Sequence, residues 1–246
     1  MPKVTIATGG AFCMLTGGGG GQVGGGPRGE VRGFSFQSRK RLIDLLHQVD
    51  RAAVDVPLFV TLTYPAEWPA DWKEYKRHLK AWVLRLRRAY PAASVIWRLE
   101  YQKRGAPHYH VLVFGIPFLP IEWVSSSWFE VVGSGDVRHL AAGTQVARVL
   151  TWRGASFYCA KYLGKIQAGD GIPTGRIWGK SGPLPVDLVE LELSWDSWHR
   201  VRRVLGRWYK RKTGRPAWWV SQRRAGITAY LPEADAARLL AWAVAA

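Results

Sequence analysis

Residues 99–114 read LEYQKRGAPHYHVLVF, and the way this stretch pairs with itself decides the fold. Side chains alternate along a strand, so His108 and His110 share one face while Tyr109 points to the other. Suppose the two strands are joined by the odd loop Lys103-Arg104-Gly105, with Gly105 taking the positive φ that such loops demand. Gln102 then pairs with Ala106, and Glu100 lies opposite His108. Glu100, His108 and His110 come to share a face, and Trp97, Leu99, Tyr101, Tyr109, Val111 and Val113 form the other. That second set is a coherent apolar side, which is what register selection requires. An even loop would separate Glu100 from the histidines, so the odd register is the expected one.

Working outward, SVIWRLEYQ and PHYHVLVFG form a central hairpin, and PLFVTLTYP before them is a β-branched strand closed by Pro65. Between these lies DWKEYKRHLKAWVLRLRRAYP, a helix capped by Asp71. Its Trp72, Tyr75, Leu79, Trp82 and Leu86 recur at steps of three and four and mark the core side. Upstream, EVRGFSF is a short strand and SRKRLIDLLHQVDR a helix capped by Ser38. Downstream come helices over IEWVSSSWFEVV and RGASFYCAKYLGK, a strand VDLVELEL, and a basic helix near 196–212. A hairpin-like WWVSQRRAGITAYL and a helix from Pro232 complete the chain, and there is no internal repeat. The opening 29 residues are glycine-dominated and poor in charge, the composition of a flexible tail. Strands interrupted by helices around a central hairpin give an α+β class, an antiparallel sheet with helices on one side. The expected division is a tail over 1–29, a main domain over 30–183 and a basic, largely helical extension over 184–246.

Composition narrows the function. A net charge of +17 and a pI near 10.3 on 246 residues call for a polyanionic partner, nucleic acid first. No apolar run approaches the roughly 18–20 residues of a membrane span, and the N-terminus lacks a signal-peptide pattern. A soluble protein of the cytoplasm is therefore expected, with no membrane partner. Cys13 and Cys159 are the only cysteines, which offers no disulfide framework and suits a reducing compartment.

Two imidazoles and a carboxylate on one face leave positions open for water or phosphate oxygens. That mixed set of nitrogen and oxygen donors fits Mg²⁺ or Mn²⁺ better than a closed structural zinc site. A second constellation is SFYCAKYLGK. On a helix, Tyr158, Tyr162 and Lys165 fall at i, i+4 and i+7 with Lys161 one turn from Tyr158, so two phenols and two ammoniums share a face. A phenol, with an ordinary pKa of about 10, is a poor nucleophile until neighbouring cations or a polarised phosphate assist it.

FVTLTYP, then E-x7-H-x-H in LEYQKRGAPHYH, then Y-x-x-K-Y in YCAKY, in that order, resemble the three motifs of the HUH endonuclease superfamily. Within it, the four-residue spacing of Tyr158 and Tyr162 is similar to that of the two-tyrosine rolling-circle replication initiators of the phage A-protein type. GRIWGKS at 175–181 resembles a segment of phage and plasmid replication proteins, and the matching stretch runs from about Phe59 to Lys180. The resemblance implies a palm-like, ferredoxin-related sheet for residues 30–183, with the histidines on a central strand and the tyrosines on a facing helix. It further implies a divalent ion held by Glu100, His108 and His110. Tyr158 or Tyr162 would attack one DNA strand at an origin, leaving a 5′-phosphotyrosine and a free 3′-hydroxyl, and Lys161 and Lys165 would stabilise the phenolate and phosphate. Two tyrosines permit alternation, so that the same enzyme rejoins the ends.

The basic surfaces suit such a substrate, single-stranded or origin-hairpin DNA in a bacterial host. Arg200, Arg203, Arg207, Lys210 and Arg211 fall on one side of the 196–212 helix, and Trp198, Val201, Leu205 and Trp208 on the other. Arg104 in the hairpin loop joins this expected DNA-binding set, and Lys73, Lys76, Arg77, Lys80, Arg85, Arg87 and Arg88 form a second cluster. Trp218 and Trp219 offer rings for stacking bases. GRIWGKS falls short of the G-x-x-x-x-G-K-[ST] spacing, so no nucleotide cofactor is expected, and a host helicase would unwind the duplex for a host polymerase. Two alternatives stay open: an HUH-type transposase or relaxase, and a noncatalytic DNA-binding protein on the same scaffold.

Overall fold

The computed structural model describes residues 1–7, 9–17, 34–152, 154–155, 175–215 and 227–245. They form two compact units, one of residues 28–43 and 54–184, the other of residues 1–27, 44–53 and 185–246. The division falls within helix α1 (Phe36–Gln48). Each unit has its own antiparallel sheet, which makes the chain α+β as expected, though with two sheets in place of one.

In the first unit the strands are β3 (Leu58–Thr63), β4 (Ser94–Tyr101), β5 (Pro107–Phe114), β6 (Thr144–Arg148) and β7 (Trp178–Ser181). They lie in the order β6-β3-β5-β4-β7, every pair antiparallel. Helices α2 (Trp72–Ala89), α3 (Ile121–Val132) and the short α4 (Val137–Ala142) belong to the same unit. Asp71 caps α2, its carboxylate accepting from the Lys73 N–H at 2.8 Å. The apolar stripe read from the sequence is the buried one, with Tyr75, Leu79, Trp82 and Leu86 all inside. They meet Leu62, Leu99, Tyr109, Val111 and Val113 from one face of the sheet and Val124 and Trp128 from α3. Trp82 is tied further by its Nε1–H, which donates to Ser127 Oγ at 3.0 Å.

The second unit takes β1 (Lys3–Ala7) and β2 (Cys13–Thr16) from the start of the chain, and β8 (Leu188–Glu192) and β9 (Ile227–Ala229) from its end. Their order is β8-β1-β2-β9. Helices α5 (Trp195–Thr213) and α6 (Glu233–Val244) cover one face. Val4, Ile6, Cys13 and Leu15 pack there with Trp198, Val201, Leu205, Ala236 and Leu239. Three expectations are corrected. Lys3–Ala7 and Cys13–Thr16 are not tail: both are strands, Val4, Ile6, Cys13 and Leu15 are buried, and the two strands occupy the middle of the sheet. The C-terminal extension contributes two strands as well as two helices, and ITA of the expected C-terminal hairpin pairs with β2, while residues 218–226 of that hairpin lie outside the described residues. Ser38 lies inside α1, and the cap is Ser35, whose Oγ accepts from the Ser38 N–H at 3.2 Å. Among the described residues no helix is long and apolar enough to cross a membrane.

Candidate active site

The loop joining β4 to β5 has the odd form. Gln102 N–H donates to Ala106 O at 2.9 Å, Gly105 N–H to Gln102 O at 2.8 Å, and Gly105 sits at φ +85°, where a side chain would be strained. Glu100 consequently stands opposite His108, and Arg98 opposite His110. These four side chains share the sheet face turned away from α2 and α3, because the alternate residues Leu99, Tyr109 and Val111 are committed to the core.

On that face Glu100 is buried and held from two sides. Arg98 Nη1 approaches Oε1 at 3.1 Å, and His110 Nε2 donates to Oε2 at 3.3 Å. Arg98 is itself only 2% exposed, its guanidinium lying 4.5 Å from the centre of the Phe34 ring. His108 stands edge-on to His110 with ring centres 4.5 Å apart, and its Nδ1 is hydrogen-bonded to Thr63 Oγ1 at 2.9 Å. Phe59 stacks on His110 from β3. Burial, reinforced by the neighbouring His110, pushes His108 down to about 4, so its imidazole is neutral, the form that can donate a lone pair.

Thr63 owes its place to anchoring at every backbone atom that can make a hydrogen bond. Its N–H donates to Gly143 O at 2.8 Å, while its carbonyl accepts from Trp128 Nε1–H at 2.8 Å and from His139 Nε2–H at 2.7 Å. Helices α3 and α4 thereby fix the end of β3 from which the hydroxyl reaches His108. Sequence reasoning missed Arg98, Thr63 and His139. Arg98 was findable, since alternation along WRLE puts it on the Glu100 face. Thr63 stood inside the motif FVTLTYP without being singled out, and His139 carried no signal, because their roles depend on elements far apart in the chain.

Could these residues hold the divalent ion that the motifs imply? Two ligands at adjacent corners of an octahedral Mg²⁺, each bonded at about 2.1 Å, stand about 3 Å apart. The 3.3 Å between His110 Nε2 and Glu100 Oε2 is close to that separation. His108 adds Nε2, since Thr63 engages its other nitrogen. The donor set fits in kind, and one pair meets the spacing, but among the described residues no three His, Cys, Asp or Glu side chains stand together closely enough to hold a metal ion.

The remaining expected site residues are placed as follows. Tyr158, Lys161, Tyr162 and Lys165 lie outside the described residues, as do Trp218 and Trp219. Arg104 is committed to its own chain, donating to Tyr64 O and Pro65 O, each at 2.6 Å, and to Gln102 Oε1 at 2.9 Å, with its guanidinium over Trp68. Arg200, Arg203, Arg207, Lys210 and Arg211 are all exposed along α5, opposite its buried Trp198, Val201 and Leu205. On α2, Lys73, Arg77, Lys80 and Arg88 are exposed, and Arg85 pairs with Glu130 at 2.7 Å. Lys76 differs: its ammonium sits 4.6 Å from the Trp97 ring centre and donates to Arg176 O, and burial pushes it down to about 7. The last residues of GRIWGKS form β7, at the sheet edge beside β4.

Comparison with known proteins adds context. The family model described as replication-associated protein ORF2/G2P matches residues 57–167, the stretch that holds β3, both strands of the hairpin and the tyrosines. Replication-associated protein G2P of Pseudomonas phage Pf3 is 28% identical over 74% of this chain and 70% of its own length. A putative replication protein of Xylella fastidiosa strain 9a5c is 31% identical over 83% of this chain and 74% of its own. No solved structure matches the chain.

Proposed function

This chain belongs to the replication-associated protein ORF2/G2P family, and from that membership and the Glu100–His108–His110 face we propose that it initiates rolling-circle replication by nicking one DNA strand at an origin. The observation that carries the reading is the hairpin register, which sets Glu100 opposite His108 with His110 Nε2 at 3.3 Å from its carboxylate.

A divalent ion, Mg²⁺ or Mn²⁺, bound by Glu100, His108 and His110 would supply positive charge to the nonbridging oxygens of the scissile phosphate. The chain's own groups do the positioning. Arg98 fixes one Glu100 oxygen and Thr63 fixes the His108 ring, so the donors need little rearrangement when the phosphate arrives. The phenol oxygen of Tyr158 or Tyr162 then attacks phosphorus in line. As the bond to the tyrosine forms, the bond to the 3′-oxygen breaks, and that oxygen takes a proton to become a free hydroxyl. The 5′-phosphotyrosine keeps the energy of the phosphodiester, so attack by a 3′-hydroxyl restores the strand without a nucleotide cofactor. Lys161 and Lys165 stabilise the phenolate and phosphate, and the second tyrosine accepts the regenerated origin. Host helicase and polymerase supply unwinding and synthesis, and the exposed cations of α5 hold flanking phosphates.

The test is a denaturing gel of protein incubated with labelled single-stranded oligonucleotides, with and without Mn²⁺. A metal-dependent covalent adduct is expected, surviving Tyr158→Phe and Tyr162→Phe singly and lost in the double variant. DNA binding without an adduct in any divalent metal would leave a noncatalytic DNA-binding protein.

A further inference from the structure

Behind the sheet from Glu100 lies a cleft of about 360 Å³, between α2 and the edge made by β4 and β7. Its size is that of a small-ligand site. Its walls include Trp72, Lys76, Lys80, Leu84, Trp97 and Arg176, and among the described residues no carboxylate lines it. Leu84 is 42% exposed at its rim, unusual for an apolar side chain on a helix that otherwise buries its apolar stripe. Two half-buried indoles and an exposed leucine leave apolar surface to water beside Lys76, Lys80 and Arg176. They are the chemistry that holds an unpaired base together with its phosphate.

GRIWGKS borders this cleft through Arg176 and Ser181. A side-chain carbon at Gly179 would stand 2.8 Å from the Trp97 ring, and one at Gly175 would stand 2.7 Å from Trp72. Gly175 also sits at φ +59°. Both glycines let the backbone lie against the indoles, so the segment closes the cleft without filling it. The half-buried Lys76 Nζ, held between Arg176 O and the Trp97 ring, borders the same space.

We propose that this cleft binds one unpaired nucleotide of single-stranded DNA flanking the cleavage site, the base against Trp72, Trp97 and Leu84 and the phosphate facing Lys76, Lys80 and Arg176. The inference rests on the single-strand nicking reading and adds to it a second contact on the opposite face of the sheet. Alternation along β4 sets Trp97 on the helix side and Glu100 on the other, so a strand engaged at both would turn around the β7 edge. One base seated apart from the reacting phosphate anchors the strand's position along the protein without touching the chemistry.

The experiment uses the full chain and oligothymidylate carrying 5-iodouracil, irradiated and mapped by mass spectrometry of tryptic peptides. Crosslinks to Trp72 or Trp97 are expected. In parallel, Lys80→Glu and Leu84→Glu, both at exposed positions that leave the core intact, lower oligothymidylate affinity roughly tenfold, the loss of about one stacked base or phosphate contact. Arg88→Glu, the same charge change on α2 outside the cleft, lowers it by less than about threefold. Wild-type protein that crosslinks elsewhere, or equal losses for Lys80→Glu and Arg88→Glu, overturns the cleft. Thymidine monophosphate that displaces the crosslink as well as the oligonucleotide does also overturns it, since the occupant is then a free nucleotide. The two readings separate cleanly. Tyrosine adducts without cleft crosslinks sink only the cleft, whereas cleft crosslinks without adducts sink the nicking reaction and leave the single-strand site standing.

Discussion

The five-stranded sheet is assembled around a hairpin whose strands are joined by residues 102–106, whereas the four-stranded sheet sets Lys3 against Glu192 and Cys13 against Ala229. The first sheet gets its central pairing from a local loop, and the candidate site is built on that pair. The second pays the entropy of closing nearly the whole chain before any strand has a partner, and must recover it from Val4, Ile6, Leu15, Trp198 and Leu205 once they are packed. Chemistry that needs fixed register sits on the local sheet, while the long-range sheet carries the exposed basic face of α5.

Removing residues 1–16 is the severest way to test that contrast. It takes out both middle strands of the terminal sheet, and hydrogen exchange across α5 should lose its protection altogether while β4 and β5 keep theirs. Unchanged protection of α5 would return those residues to a tail.

Within the hairpin sheet, Glu100→Gln leaves the Arg98 guanidinium buried beside a neutral amide. It should cost about 3–5 kcal/mol of stability and abolish the metal-dependent adduct. Arg98→Met combined with it should cost less than the sum of the two, as a double-mutant cycle in denaturant will measure.

Acid should act on the same face. His108 stays neutral in the fold down to about 4, while the unfolded chain protonates it near 6.5. The unfolded chain binds more protons between those values, so stability falls as pH drops from about 6.5 towards 4. His108→Asn, which cannot titrate, should lose less over that window in thermal melts.

Gly105→Ala asks an alanine to hold φ +85°, at a cost of about 1–2 kcal/mol. If the loop relaxes to another length the register slips, and loss of adduct formation beyond that modest destabilisation would show it. Least of all, Arg85→Ala, which breaks an exposed pair with Glu130, should change stability by under about 1 kcal/mol; a larger loss would mean that the pair holds α2 to α3.

The site was legible to the extent that it was local. Alternation and one glycine were enough to place Glu100 beside two histidines and to separate Tyr109 and Val111 from them. The same alternation already contained Arg98. What could not be read was the support from a distance: Thr63 held by Trp128, His139 and Gly143, and the glycines of GRIWGKS lying against Trp72 and Trp97. The N-terminal strands were hidden for a further reason. They are short and set in a glycine-rich segment, and the composition of the whole segment outweighed the few apolar residues of KVTIA and CMLT.

By itself the sequence determined the elements whose partners are neighbours: the amphipathic stripes of α2 and α5, the Asp71 cap and the hairpin register with its three prospective ligands. Periodicity and turn chemistry act within a few residues, so they are written in order along the chain. The tertiary structure alone decided that the two ends of the chain meet in one sheet, that Glu100 shares its charge with a buried arginine, and that Arg104 serves its own loop. Those outcomes depend on which distant surfaces exclude water from one another, and no local pattern encodes that.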